Sequence, residues 1–201
     1  MIKRIFKESH KKFVGAPAWS FSTQQRPSIR DEILRKKNDY CNVSDKILDL
    51  VDRRLYMQAD HPIGILWDKL KEFFSDPSRY RGPLQAKYQE KFNCLEGFSP
   101  IVSTQSCFDD MLVPKDHVSR KKSESYYITE DTLLRSHTTA HEAHLLGRGE
   151  KAWVLIGDVY RRDTIDSTHY PCFHQVTISS FFVVMIMMAS FLRIDGSCQS
   201  V

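Results

Sequence analysis

The densest run of chemically able side chains in this 201-residue chain is GDVYRRDTIDSTHYPCFHQ, from Gly157 to Gln175. It leaves one apolar stretch and enters another, so Asp163 to Pro171 reads as a charged connection between paired strands. Connections of that length usually carry function. Arg161 and Arg162 offer planar forks for phosphate or carboxylate, Asp163 can accept from an amine, and Phe173 presents a ring for stacking on a base. Those are the parts of a nucleoside triphosphate site. Alternation along a strand puts Arg161 and Asp163 on one face and Arg162 on the other, so one arginine should point inward and the other out. On composition alone, a solvated charged hairpin is the better reading of the same residues.

A second cluster, RSHTTAHEAH, would set His137, His141 and His144 on one face of a helix, the geometry of an imidazole metal site. The β-branched Thr138 and Thr139 and the lack of HExxH weigh against it. Hydrogen-bonding or exposed histidines are favoured, and no metal is expected. Cys172 lies between His169 and His174 without a spacing specific to a thiol nucleophile, and reads as a half-buried strand cysteine. Cys41, Cys94, Cys107, Cys172 and Cys198 form no CxxC pair and are odd in number, so neither a zinc ribbon nor a disulfide framework is encoded. A reducing compartment is expected.

The elements that must position these groups follow from periodicity. Ser44 and Asp45 read as a helix start, with Ile47, Leu48, Val51 and Leu55 at helical spacing, predicting a helix over 45–55. Pro62 suits a first helical position, and Ile63, Leu66, Trp67, Leu70, Phe73 and Phe74 form one apolar stripe behind it. SDPSRYRGPLQ, Ser75 to Gln85, is a loop whose basic and aromatic residues could touch phosphate but reads better as an ordinary exposed connection. SPIVST, ESYYIT and AWVLIGDVY have the content of strands, and Thr139 to Leu146 favours a short helix. Helices first and strands later predict an α+β domain on a mainly antiparallel sheet flanked by helices.

The ends differ from the middle. Residues 1–30 hold seven Lys/Arg against the single acid Glu8, leaving 22 basic against 24 acidic residues in the rest of a chain of net charge +4. With Ile2, Ile5, Phe6 and Phe13 interspersed, that basic leader has the pattern of a mitochondrial transit peptide over residues 1–30, and predicts the mitochondrial matrix. A solvated or nucleic-acid-binding arm is the alternative. Phe181 to Leu192, FFVVMIMMASFL, is shorter than the ~18 to 20 apolar residues that span a bilayer, so no membrane is expected.

With these residues in view, GDVYRRDTIDSTHYPCFHQ resembles motif 2 of the class II aminoacyl-tRNA synthetases. Its YRRD, D-S-T-H and F-H-Q elements look like those of the phenylalanyl-tRNA synthetases of single-chain mitochondrial type. FDDMLVPKDHVSR (Phe108 to Arg120), LLRSHTTAHEAHLL and HPIGILWDKLKEFF are similar to further blocks of that family, the last to motif 1. The likeness covers residues 43–175, the N-terminal part of the catalytic domain, with 176–201 an atypical tail.

The resemblance implies activation of phenylalanine with ATP and Mg²⁺ and transfer to tRNA. Arg161 matches the motif 2 arginine that bridges the α-phosphate and the amino-acid carboxylate, where a fixed fork stabilises charge redistributed in the transition state. It also implies Asp163 near the adenine amine, Phe173 stacked on adenine, and His137, Thr139, Glu142, Thr168, His169 and Gln175 around the amino acid. Glu142 stands for the family's usual Gln, Thr139 for Ser, Cys107 for Asn and Val118 for Pro, and Thr177 replaces an expected glutamate. Motif 3 has no counterpart. The expectation is therefore a phenylalanine–tRNA ligase fragment, inactive or weakly active. The alternatives are a non-catalytic protein binding tRNA or a full-length synthetase, and a His-based metal-dependent hydrolase. Because the likeness stops at Gln175 before a Val whose codons open with GT, the tail from Val176 is expected to be translated intron.

Overall fold

A computed structural model describes residues 28–80, 91–162 and 169–180. The expected leader lies outside them up to residue 27, but its last residues do not: Ile29 and Arg30 open helix α1 (Ile29–Lys36). Ser28 Oγ accepts from the Arg30 backbone N–H at 3.1 Å, Asp31 and Glu32 fill the first turn, and Arg35 and Lys36 the last, so both ends of the helix dipole are compensated. Only Ile29 and Ile33 are buried in it, too thin an apolar stripe for periodicity to reveal.

The helix predicted over 45–55 is shorter in the structure, with α2 spanning Asp45–Leu48. Asp52 (φ 68°) and Arg54 (φ 40°) adopt left-handed backbone, which a right-handed helix does not admit. The Asp52 carboxylate accepts from Ser28 Oγ at 2.9 Å beside the start of α1, a tertiary contact that the local pattern does not contain. Helix α3 (Pro62–Phe74) matches its prediction: Pro62 opens it and His61 Nδ1 accepts from the Ile63 N–H at 3.2 Å. Trp67 and Phe74 are buried, whereas Leu66, placed in the same stripe, is 58% exposed. Past α3, Tyr80 is buried with its hydroxyl donating to Phe74 O at 2.8 Å, and Arg79 pairs with Glu72 and Asp76. The described part of the loop from Ser75 is thus tied back to α3 by a buried Tyr80 where an ordinary exposed connection was expected; residues 81–85 lie outside the described residues.

Among the described residues, six strands form two sheets. The larger runs β1 (Asn93–Leu95), β5 (Ala152–Tyr160), β6 (Cys172–Ser180), with β1 parallel to β5 and β5 antiparallel to β6. The smaller runs β2 (Ile101–Ser103), β4 (Thr132–Leu134), β3 (Tyr127–Thr129), all antiparallel. The architecture is α+β and antiparallel-rich, with one parallel pair that the sequence did not disclose. The two sheets are joined where Tyr160 N donates to Arg135 O at 2.9 Å, and Arg135 N donates to Pro100 O at 2.8 Å, extending the β2–β4 pair by one bond.

Alternation sorts β5 between two cores. Ala152, Val154 and Ile156 pack on Trp67 and Phe74 of α3, while Trp153 and Leu155 pack on Leu145 of α4 (Glu142–Gly147). β6 continues past Gln175, the expected end of the likeness: Val176 to Ser180 pair in unbroken register with Ile156 to Ala152. The boundary placed at residue 175 falls inside one strand, and the first five residues of the expected tail are part of the sheet. Among the described residues no helix is long and apolar enough to cross a membrane.

Candidate functional site

The β5–β6 hairpin offers one face to α3 and the other to the segment His137–Glu142. Register puts Phe173, Gln175, Thr177 and Ser179 of β6 on that second face, opposite Val159, Gly157, Leu155 and Trp153. Polar side chains there meet polar partners. Gln175 Oε1 accepts from Thr138 N at 3.2 Å, and the hydroxyls of Thr138 and Thr177 lie 2.5 Å apart. Glu142 is half-buried. Burial raises its carboxyl above the usual range, opposed by a hydrogen bond from Ser179 that favours the ionised form.

Arg161 sits just past the end of β5 and extends the ladder by one bond, its N–H donating to Pro171 O at 3.0 Å. Its Nε donates to Ser136 O at 3.1 Å, and its guanidinium lies 5.2 Å from the centroid of the Phe173 ring. One edge of the fork is thereby fixed on backbone and one face on an aromatic ring. Arg162 is exposed, its Nη1 donating to Lys122 O at 2.7 Å. One arginine is inward and the other exposed, as alternation predicted, and the structure decides that Arg161 is the inward one.

His137 precedes a 3₁₀ turn, Thr138–His141, in extended backbone. Its Nδ1 is 2.5 Å from Thr139 Oγ1 and its Nε2 is 3.8 Å from Cys107 Sγ. Burial first, and the Arg161 charge to a smaller degree, lower its pKa. Burial also raises the Cys107 thiol, which is fully covered. The ring is therefore a neutral hydrogen-bonding group at neutral pH.

The structure thus brings together Arg161, Phe173, Gln175, His137, Thr139 and Glu142 around one face. His169 is exposed, ahead of the start of β6. Asp163 and Thr168 lie outside the described residues. Sequence reasoning did not single out Arg135, Ser136, Thr138 or Ser179; a lone arginine closing the apolar run TLL was the available signal for Arg135.

The histidine triad does not form. His137 is extended rather than helical, His141 Nε2 lies 2.8 Å from Arg135 Nη1, and His144 is exposed. Among the described residues, no group of three or more His, Cys, Asp or Glu is placed to hold a metal ion. Cys172 is half-buried in β6, and burial pushes its thiol up to about 12. It is the inert strand cysteine that its spacing suggested.

On the opposite face, Asp158 and His174 approach to 2.8 Å without the alignment of a hydrogen bond. They line a groove of about 450 Å³ between α3 and β6, together with Leu66, Trp67 and Val176. The roomy groove and the arginine site are on different sides of the sheet.

Residues 83–185 match the family model described as tRNA synthetases class II core domain (F). The chain is 44% identical over 147 residues to a chloroplastic/mitochondrial phenylalanine–tRNA ligase of Arabidopsis thaliana, covering 73% of this chain and 32% of that one. It is 40% identical over 173 residues to the mitochondrial phenylalanine–tRNA ligase of Rattus norvegicus, covering 83% and 35%. To the mitochondrial phenylalanine–tRNA ligase of Saccharomyces cerevisiae it is 36% identical over 165 residues, covering 78% and 33%. The chain spans about a third of the length of the curated relatives it matches.

Proposed function

We propose that this chain, which belongs to the class II tRNA synthetase core domain family, carries the motif 2 half of a phenylalanine–tRNA ligase site and acts in the mitochondrial matrix. The observation that carries the reading is the half-buried Arg161. Ser136 O and the Phe173 ring orient it, which leaves its terminal nitrogens for an anion. A guanidinium held in advance is what transfer between a carboxylate and an α-phosphate requires, because negative charge moves between two oxygens that one fork can span. The carboxylate nucleophile is already ionised, so no general base is needed, and catalysis is positioning plus charge stabilisation.

On this reading, phenylalanine binds over Gln175, Thr177, His137, Thr139 and Glu142, and ATP lies along Arg161 and Phe173 with Asp163 near the adenine amine. Thr168 and His169 complete the amino-acid side, and the product is passed to tRNA. Glu142 gives the substrate ammonium a carboxylate that the replacement of glutamate by Thr177 would otherwise deny it. The described residues do not fit a protein-held Mg²⁺, since no carboxylate cluster gathers among them. Mg²⁺ is read as a companion of the triphosphate.

Binding of the sulfamoyl analogue of phenylalanyl-adenylate, followed by calorimetry, tests the proposal. Saturable binding that Arg161→Lys weakens is expected, and binding indifferent to Arg161 would refute it. The exposed Leu66, Val176 and Ile178, on the groove side of the fold, favour a second reading in which the chain contacts a full-length synthetase. Co-sedimentation with that synthetase and no analogue binding would mark this outcome.

A further inference from the structure

The geometry points to Arg135 as a positioning residue that sets both Arg161 and the His137–Glu142 arc, an inference that rests on the reading of the site given above. Arg135 is 1% exposed, a charged side chain wholly inside the protein. A cation there must find its partners within the fold. Its Nε donates to Asp158 O at 2.6 Å and its Nη1 to Phe98 O at 3.4 Å, and its Nη1 lies 2.8 Å from His141 Nε2. An arginine has only donors, so His141 Nε2 accepts and the imidazole is neutral with its proton on Nδ1. Burial, and then the Arg135 charge, agree, holding the His141 pKa at about 3.

Room for this guanidinium comes from β5. A Cβ placed on Gly157 would overlap Nη2 and Cζ of Arg135. Gly157 is the residue opposite Gln175 in the hairpin, so the cavity is cut into the site strand itself. The consequences run both ways along the chain from Arg135. Its carbonyl takes the Tyr160 N–H, and the next carbonyl, Ser136 O, takes Arg161 Nε. Its fork grips His141 at the far end of the turn that carries Thr138 and Thr139 and follows His137. One buried fork therefore closes the arc from residue 135 to residue 141 and fixes the carbonyl that aims Arg161. Arg135 touches neither reacting group; it acts through Ser136 O, Asp158 O and His141.

The test uses the 201-residue chain with the sulfamoyl analogue of phenylalanyl-adenylate as probe. Gly157→Ala displaces the guanidinium without removing it, Arg135→Met removes it, Arg135→Lys keeps the charge without the fork, and His141→Ala removes one anchor and leaves the cation in place. Each is expected to weaken analogue binding about tenfold or more, and Gly157→Ala combined with Arg135→Met to be no worse than the weaker-binding single variant. By NMR, the His141 pKa should rise in Gly157→Ala and Arg135→Met as the nearby cation is displaced or lost, with burial still holding it below its ordinary value, and the Arg161 Nε–H should lose its hydrogen-bonded shift. These two signals separate positioning from mere destabilisation.

Additive losses in the double variant, or wild-type His141 and Arg161 signals in well-folded Gly157→Ala, would overturn the inference. If the unsubstituted chain does not bind the analogue, the reading of the site fails. The His141 and Arg161 signals then decide the positioning role by themselves. Should Arg135→Met not fold, His141→Ala and Arg135→Lys probe the same link through analogue binding and the Arg161 signal.

Discussion

β5 and β6 are strands of nine residues paired along their whole length, yet every residue of β5 is buried while in β6 only Ser179 and Ser180 are. Strand propensity does not separate them; cover does. β5 has β1 on its other edge, Trp67 and Phe74 of α3 below and Leu145 of α4 above. Among the described residues β6 has β5 alone as a strand neighbour, and its site-facing positions carry Phe173, Gln175, Thr177 and Ser179. The hairpin divides labour: one strand is an anchored scaffold, and the other displays hydrogen-bonding groups beside the arginine that follows the scaffold. Stability should therefore be concentrated in β5 and its cover, and binding in the polar face of β6 and the turn facing it.

That division can be broken at several points, the largest effect coming first. Trp67→Ala removes a fully buried ring between α3 and β5 and should cost about 3 to 5 kcal/mol in chemical denaturation. An unfolding midpoint close to that of the parent chain would show that α3 does not hold β5. Arg161→Lys keeps charge but loses the fork, and should weaken binding of the adenylate analogue by about 2 to 4 kcal/mol with unfolding unchanged. A loss of stability in place of affinity would move Arg161 from the site to the scaffold.

Acid tests the turn facing β6. His141 has a pKa near 3 when folded and 6.5 as its ordinary value, so in that window protons bind the unfolded chain preferentially. Its contribution to stability is whole above pH 6.5 and is lost as the pH falls toward 3, at a slope of at most about 1.4 kcal/mol per pH unit. His137, lowered in the same direction, adds to the loss. Urea melts across this range should flatten in His141→Gln, whose amide oxygen can accept from Arg135 without titrating. An unchanged slope would remove His141 from the scaffold. Smallest of all, Ile178→Thr on the exposed side of β6 should stay within about 0.5 kcal/mol of the parent, and a larger cost would mean that this face is covered.

Much of the site was legible because its chemistry is carried by residue type. Only arginine gives a fork, and alternation put Arg161 and Arg162 on opposite faces before any contact was known. Helix α3 was legible because Pro62 and a dense apolar stripe act within one element. The same reasoning overran at 45–55, where Val51 does face the core, but through a turn rather than a helix. It overran again at Leu66, since helical periodicity gives an apolar direction without saying how wide the partner surface is. The three histidines were read with the right weight: the β-branched Thr138 and Thr139 spoke against a shared helical face, and His137, in extended backbone, and His141 are hydrogen-bonded while His144 is exposed.

By itself the sequence determined the α+β class, the opposite facing of Arg161 and Arg162 and the polar character of the segment around them, because these depend on local order and side-chain chemistry. The tertiary structure decided that Gly157 makes room for Arg135, that Ser136 O aims Arg161, and that Thr177 and Ser179 continue the site strand past Gln175. Each of those joins residues more than twenty positions apart, or depends on strand register. Burial of a cation, the space left by a missing Cβ and the pairing of one strand with another are properties of neighbours in space, and no window of sequence contains them.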